Sequence, residues 1–241
     1  CAVCVKWGFG WIGVRGRAAA GPVSVSAVAL IACAALAGCG ARTAIYADVS
    51  VAREQARIRE LLRDLPGLPD GFSARPREGW SPPFRLGDTD CKTLLDAVAG
   101  RPPSAGELRT HAEATYYGDR VGELAGASVA SYAAGANASF DALGDALDGC
   151  ARMVRRNPAG GTTLALADQP SAVDELELGD GTAGTRLSGR LNGYPYDMHV
   201  VFVQSGQTLI SIVHAAMGSA DPARTEALAR AVTARMTGEA E

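Results

Sequence analysis

The sequence predicts an α+β domain in which a single antiparallel sheet of about five to seven strands packs against two or three helices, with one disulfide. Three observations lead to this fold class. Hydrophobic residues make up 47% of the chain, which is enough for a packed core. The C-terminal third contains three β-rich segments separated by turn residues. Segments with apolar residues at helical spacing precede and follow these strands.

Residues 1–38 are predicted to be a lipoprotein-type signal peptide. Their three charged residues are all basic and precede an uncharged apolar run. The run ends in Leu-Ala-Gly-Cys at residues 36–39, which resembles the bacterial lipobox at all four positions. This resemblance implies that Cys39 becomes the lipidated N-terminus and anchors the chain to the outer face of the cell membrane. The alternative is an uncleaved membrane anchor, for which the run is short and weakly hydrophobic.

The cysteine count predicts one disulfide in the exported chain. Of the six cysteines, three lie in the predicted signal peptide and Cys39 is expected to carry lipid. Cys91 and Cys150 remain, in a compartment where disulfides persist, and we expect them to pair. The alternative is a pair of reduced, buried thiols.

The charge balance argues against nucleic acid as a partner. The formal net charge is −3, and loss of residues 1–38 removes three basic residues and no acidic ones, which moves it to −6. Binding to nucleic acid requires a basic face. The expected partners are the membrane, through the lipid anchor, and an envelope ligand or protein whose identity the sequence does not give.

The exported chain divides into a short N-terminal part and one domain. Residues 39–69 are predicted to hold the lipidated cysteine, a tether and a helix over residues 48–65. This helix either serves as a spacer or packs on the domain. The domain itself, of the α+β class, is expected over residues 70–238.

Turn and cap residues divide the domain into strands and helices. Pro76 limits the first strand to a sheet edge because proline has no amide hydrogen to donate. Asp90 is the predicted N-cap of the first domain helix, and Asp221-Pro222 begins the last one. In chain order the predicted elements are a strand at 71–80, a helix at 91–99, strands at 108–117 and 121–133, a helix at 137–153, strands at 162–167, 175–178, 185–191, 196–203 and 208–214, and a helix at 223–236.

The strands at 196–203 and 208–214 predict a hairpin that is apolar on both faces. Such a hairpin is expected at the centre of the sheet, covered on both sides. The alternative is that one face lines a groove for lipid or a cell-wall fragment. One face carries Met198, Val200, Phe202, Leu209 and Val213, and the other carries Val201, Val203, Ile210 and Ile212.

A polar cluster is predicted on this hairpin. A two-residue turn at 205–206 would place Asp197 opposite His214 and His199 opposite Ile212, so that the acid and both histidines share one face. Because an acid raises the pKa of a neighbouring histidine, the cluster suits a metal site or a pH-sensitive patch. Two histidines and one aspartate lack a fourth ligand, however, and we expect an ordinary polar cluster with no metal and no cofactor.

Five aromatic side chains near predicted turns suit the rim of a binding site, because each combines an apolar body with a polar tip. They are Trp80, Tyr116, Tyr117, Tyr194 and Tyr196.

No catalytic motif is present. The G-x-S-x-G elbow is missing, and Lys92, the one lysine after residue 38, has Thr89 instead of serine three positions before it. A Ser-His-Asp triad assembled by the fold would leave no signature in the sequence. We therefore expect no enzymatic activity, and keep an envelope hydrolase as an alternative.

The order of elements resembles the extracellular sensor domain of mycobacterial receptor-type Ser/Thr kinases, which also occurs in stand-alone actinobacterial lipoproteins. The resemblance rests on Asp90-Cys91 before a short helix, Asp148-Gly149-Cys150 ending another, the hairpin at 199–214, and Asp221-Pro222 before the last helix. It covers residues 70–238. It implies a non-catalytic, sensor-like domain with a ligand or partner cleft beside the hairpin. The alternative is a carrier of envelope lipids or glycolipids.

Overall fold

The structure, a computed structural model, describes residues 49–77, 79–83, 88–153, 163–166 and 172–238. The predicted signal peptide and Cys39 lie outside these residues. Within the described ranges, no helix combines the length and the apolar character needed to cross a membrane.

The described residues form one antiparallel sheet between two layers of helices, which confirms the predicted α+β class. The six strands have the spatial order β1-β2-β6-β5-β4-β3. In chain order the elements are α1 at 49–63, α2 Thr89–Val98, β1 Glu107–Tyr117, β2 Leu124–Ala134, α3 Ala136–Met153, β3 Thr163–Leu166, a short 3-10 helix Ala172–Glu175, β4 Gly181–Leu191, β5 Tyr194–Ser205, β6 Thr208–Met217 and α4 Pro222–Thr237.

The hairpin of β5 and β6 lies at the centre of the sheet, as predicted, and its two apolar faces belong to two separate cores. Met198 and Phe202 lie in the core that α2 and α3 cover. Val201 and Ile212 lie in the core that α1 and α4 cover. All four side chains are fully buried. A strand pair buried on both sides needs apolar residues at consecutive positions, which is the pattern in the sequence.

Two short turns define this part of the sheet. Asn192 and Gly193 both have positive φ, +51° and +87°, as a type I′ turn between twisted strands requires. Ser205 pairs with Thr208, so the next turn is formed by residues 206–207, and φ of Gly206 is +55°. The predicted turn at 205–206 was wrong by one residue, because three successive residues in this segment are compatible with a turn.

The shifted turn changes the cross-strand neighbours without changing the faces. His199 lies opposite His214, where the sequence predicted Ile212, and Asp197 lies opposite Ala216. Because the register differs from the predicted one by two residues, each side chain keeps its face. Asp197, His199 and His214 therefore share a face, as predicted.

The disulfide between Cys91 and Cys150 joins α2 to α3 on one side of the sheet, and the predicted pairing is confirmed. The N-cap of α2 is Asp88, whose Oδ1 accepts a hydrogen bond of 2.8 Å from the amide of Cys91. The predicted cap, Asp90, lies inside the first turn of the helix. The carboxylates of Asp88 and Asp90 are both stabilised by the positive N-terminal end of the helix dipole, but only Asp88 precedes the helix and can cap it.

The opposite side of the sheet is covered by α1 and α4. Ile58 and Leu62 of α1 are buried in the same core as Leu228 and Val232 of α4. The hydroxyl of Tyr116 in β1 donates a hydrogen bond of 2.5 Å to the carbonyl of Leu62. The first helix is thus packed on the sheet, which makes four helices among the described residues instead of the two or three predicted.

Two predicted strands are not formed. Among the described residues of the segment 71–80, Arg77 forms an isolated bridge with Thr115, and the amide of Ser73 donates a hydrogen bond of 2.8 Å to the carbonyl of Tyr117. Pro76 has no amide hydrogen to extend this pairing. In the segment 175–178, Glu175 ends the 3-10 helix and the next residues are irregular. Gly181 then begins β4, four residues earlier than predicted.

Candidate functional site

The predicted polar cluster lies beneath the N-terminal end of α4, on the sheet face that α1 and α4 cover. Asp197, His199 and His214 are all buried, with at most 1% of their surface exposed. Asp221 caps α4 and its side chain accepts a hydrogen bond from the amide of Ala223. This cap directs the first turn of α4 onto the two histidines.

One threonine hydroxyl joins the two histidines. Thr225 Oγ1 lies 2.7 Å from Nδ1 of His199 and 2.7 Å from Nδ1 of His214. On its other side, Nε2 of His214 lies 3.2 Å from Oε1 of Glu123, which is also buried. Two strands, the turn before β2 and one helix therefore contribute to a single chain of polar contacts.

Both histidines are held neutral by their surroundings. Burial lowers the pKa of His199 to about 4, against the opposing influence of the nearby Asp197 carboxylate. Burial also lowers the pKa of His214, and its contact with Glu123 only partly offsets this effect. Charging either ring would require its removal from water without full compensation.

Neutral rings fix the direction of the hydrogen bonds. His214 must carry its proton on Nε2 to donate to Glu123, so its Nδ1 accepts from the hydroxyl of Thr225. That hydroxyl oxygen in turn accepts from Nδ1–H of His199. The carbonyl of Asp221, 3.1 Å from Oγ1, is a second and longer acceptor for the one hydroxyl proton. We therefore assign a directional chain from His199 through Thr225 and His214 to Glu123. It leaves Nε2 of His199 buried and without a hydrogen-bond partner among the described residues.

A largely buried arginine, Arg224, closes the chain; 12% of its side chain is exposed. Nη1 of Arg224 lies 2.8 and 2.9 Å from the two carboxylate oxygens of Glu123, and Nη2 donates to the carbonyl of Asp70 at 2.6 Å. Its guanidinium also lies over the ring of Phe72, 4.4 Å from the centroid. Nη1 is 3.1 Å from Asp119, and this hydrogen bond lowers the pKa of that exposed carboxyl. Arg224 thus fixes the β1–β2 turn against α4.

Asp197 takes part in a neighbouring ion pair. Its oxygens lie 3.0 and 3.2 Å from Nε of Arg186 on β4, and one of them accepts from the amide of Ala220 at 3.1 Å. Among the residues that the structure describes, no three histidine, cysteine or acidic side chains are placed to hold a metal ion. The cluster is a structural connection between α4 and the sheet.

The order threonine, histidine and glutamate is that of a nucleophile, a base and an orienting acid. Unlike the residues of a catalytic triad, however, Thr225, His214 and Glu123 are not accessible from solvent, since each is at most 2% exposed. None of them lines either of the two cavities described below. Within the part of the chain that the structure describes, this hydroxyl is enclosed by protein atoms and does not face either cavity.

Sequence reasoning found only part of this cluster. It missed Glu123, Arg186, Arg224 and Thr225. The available signal was weak: Glu123 stands among the turn residues before β2, and Arg224-Thr225 follows the cap of α4. The sequence separation between Glu123 and Arg224 hides their contact.

An apolar cavity of about 300 Å³ lies on the opposite sheet face. It is found where β1 and β6 end and β2 and β5 begin, beside the central hairpin. Its wall also includes part of the segment between α1 and α2. The lining residues are Gly79, Trp80, Ser81, Pro83, Thr115, Tyr117, Gly122, Leu124, Leu191, Tyr196 and Met217.

The cavity brings together three of the five aromatic residues predicted as a binding rim. Trp80 and Tyr196 form buried parts of its wall, and burial raises the pKa of Tyr196 to about 12. Tyr117 is half exposed at its edge. Tyr116 points to the opposite core and is fully buried, because neighbouring residues of a strand alternate in direction. Tyr194 is 64% exposed and does not line the cavity.

A second cavity of similar volume, about 300 Å³, lies along the edge strand β1. Its wall is mainly polar and includes Gln55 and Arg59 of α1 and His111 and Glu113 of β1. Nε2 of Gln55 donates to the carbonyl of His111 at 3.0 Å. Among the described residues, the wall of this second cavity contains no phenylalanine, tyrosine or tryptophan. The first cavity is therefore the candidate binding site.

Comparison with known proteins gives little beyond the fold. No protein-family model and no curated protein matches the chain. Among solved structures, the chain is similar to the extracellular domain of PknH from Mycobacterium tuberculosis, with a TM-score of 0.48 and 12% identity over 68% of this chain and 83% of that chain. This is a weak likeness of overall fold, and it carries no argument about ligand or role.

Proposed function

We propose that this chain is an extracytoplasmic, sensor-like binding domain without catalytic activity, anchored to the membrane by lipid on Cys39. The apolar cavity beside the central hairpin carries the binding part of the proposal. Small-molecule sites are concave, mostly apolar and contain a few polar groups, and they begin at about 300 Å³. The cavity formed by Trp80, Tyr117, Tyr196 and their neighbours has this character.

The disulfide supports the extracytoplasmic part. Disulfides such as Cys91–Cys150 persist in oxidising compartments and are rare in the cytosol of most organisms. The Leu-Ala-Gly-Cys sequence at 36–39 adds an independent reason for export. Together they favour a domain exposed outside the cytoplasm.

Binding is favoured over the two alternatives. A hydrolase would need an accessible nucleophile, and the Thr225–His214–Glu123 arrangement is buried. A lipid carrier would need a hollow for acyl chains, whereas the apolar cavity is at the small end of the range for ligand sites. A single small ligand fits better than a whole envelope lipid.

Substitution at position 39 tests the anchor. We expect Cys39→Ser to lose lipid and to leave the membrane fraction, or to accumulate with its signal uncleaved. Cys33→Ser, in the same segment, is the matched control and should behave as the wild type. Metabolic labelling with a fatty acid, followed by fractionation, measures both. Retained label on Cys39→Ser would disprove lipidation at this residue.

Native mass spectrometry tests the binding role. The protein purified from its own membrane should carry a bound mass of small-molecule size. Leu191→Trp, which places a larger side chain in the cavity wall, should lose that mass. Val121→Trp is the control, because Val121 is 83% exposed and does not line the cavity. A bound mass that Leu191→Trp retains would place the ligand elsewhere.

A further inference from the structure

We propose that the apolar cavity binds a small aromatic molecule that carries one hydrogen-bonding group, and that this group bonds to the hydroxyl of Thr115. The inference rests on the proposed binding function and names the chemical class of its ligand. It depends on the side chains that enclose the cavity and on Thr115, a lining residue whose buried hydroxyl has no partner among the described residues.

The wall of the cavity is formed largely by aromatic side chains and a polarisable thioether. Trp80, Tyr117 and Tyr196 lie in the wall together with Met217. Aromatic side chains favour other rings in stacked or edge-on contact, and a thioether sulfur adds favourable contacts with ring edges. Branched aliphatic residues contribute less of the wall. A planar ring gains more here than a flexible chain of equal volume.

A glycine in β2 allows Trp80 to pack closely against the sheet in this wall. Gly126 of β2 lies under Trp80, and a Cβ atom there would stand 3.3 Å from Cβ of Trp80 and 2.8 Å from Val213. Gly126 pairs with Thr115 on the neighbouring strand. The absence of a side chain at this position lets Trp80 pack close to the sheet beside Thr115.

Thr115 supplies the polar group. Thr115 is 2% exposed, and its Oγ1 atom is buried without a hydrogen-bond partner among the described residues. Its amide and carbonyl are paired with Arg77, so the strand position is fixed. A buried hydroxyl without a partner costs free energy, which a ligand atom in the adjoining cavity would recover. The hydroxyl both donates and accepts, so a ligand hydroxyl or carbonyl satisfies it equally.

A second buried threonine provides the comparison. Thr233 of α4 is 4% exposed, and its Oγ1 also lacks a partner among the described residues. It does not line the apolar cavity. Removal of either hydroxyl relieves a similar cost in the empty protein, whereas only Thr115 can affect a ligand in the cavity.

Methyl NMR of the whole protein, purified from its membrane into bicelles, tests the proposal. The chain has four methionines, so labelled methionine methyl groups give few signals. Met217 lines the cavity and Met198 is buried in the core as an internal reference. The probes are 4-methylphenol, toluene and 4-methylcyclohexanol, which share size and differ in hydroxyl and ring. Each probe's partitioning into the bicelles is measured without protein, so that affinities refer to the free probe, and identical bicelles keep that partitioning constant between variants.

We expect 4-methylphenol to shift the Met217 signal saturably and to bind about 3- to 10-fold more tightly than toluene, the effect of one neutral hydrogen bond. Thr115→Val should abolish this difference, Thr115→Ser should retain it, and Thr233→Val should behave as the wild type. The cyclohexanol should bind more weakly than the phenol.

Equal binding of 4-methylphenol and toluene, or an unchanged difference in Thr115→Val, would overturn the role of Thr115. Equal binding of the cyclohexanol would overturn the aromatic class. If no probe shifts Met217 while native mass spectrometry finds a ligand that Leu191→Trp loses, the ligand class is wrong and the binding function stands. If neither experiment finds a ligand, both proposals fail.

Discussion

Substitution of either partner in the ion pair between Glu123 and Arg224 should destabilise the fold strongly. Their side chains are 0% and 12% exposed, and their atoms meet at 2.8 and 2.9 Å. Arg224→Met would leave the Glu123 carboxylate buried, with His214 and the amide of Arg120 as its remaining partners among the described residues. Breaking a buried pair on one side costs about 3–5 kcal/mol, because a charge stays buried without compensation.

The converse change should cost somewhat less. Glu123→Gln leaves Arg224 with the carboxylate of Asp119 and the carbonyl of Asp70. We expect a loss of about 2–4 kcal/mol in the free energy of unfolding. In the double variant no buried charge is stranded, so the two losses should not add. The coupling energy should therefore be at least about 2 kcal/mol.

Equilibrium unfolding in urea at pH 7 measures this cycle. Trp80 is the one tryptophan after residue 38, and its fluorescence should change together with the far-UV circular dichroism if unfolding is two-state. The control is the exposed pair Arg230–Glu226 on the same helix, at 2.9 Å. Its coupling should be about 0.3–0.5 kcal/mol. A coupling between Glu123 and Arg224 no larger than the control would refute the reasoning.

Three further outcomes follow from the buried groups. The low pKa of His199, about 4 against 6.5, means that the unfolded chain binds more protons between these values, so stability should fall by about 3 kcal/mol as pH drops from 6.5 to 4. In pH-dependent unfolding, His199→Gln should flatten this slope and His111→Gln should not; an unchanged slope in His199→Gln would contradict the assignment. Replacement of Cys91 and Cys150 by serine should cost about 4 kcal/mol, measured by urea unfolding, because the disulfide closes a long loop; a loss below 1 kcal/mol would count against it. Tyr116→Phe should cost about 1 kcal/mol and speed hydrogen exchange in α1, since its hydroxyl joins that helix to the sheet; unchanged exchange would show that the bond does not hold the helix.

The central hairpin could be predicted from sequence because burial on both faces leaves a continuous apolar pattern. Its faces were assigned correctly, and the last helix was found from its cap, Asp221. The register was not, since Ser205, Gly206 and Gln207 all suit a turn and local sequence does not distinguish them. Asp88 and Asp90 present the same ambiguity at the start of α2.

The polar cluster was less predictable for a different reason. Its histidines lie on adjacent strands, and the hairpin places them on one face. Glu123 and Arg224 are far apart in sequence and meet only through the pairing of β2 with β6. The sequence around Thr115 does not indicate a binding role either. That its hydroxyl has no hydrogen-bond partner among the described residues is known only once the fold has brought Thr115, Trp80 and Tyr196 into one cavity wall.

The strand order also constrains how the chain folds while it is being made. β2 pairs with β6, yet residues 135–207 separate them. A chain that emerges with its N-terminus first must hold one edge of β2 unpaired until almost the whole domain has appeared. Unpaired edges invite association with other chains. Cys91 and Cys150 are both available earlier, so their bond can restrain the first half of the domain during this wait.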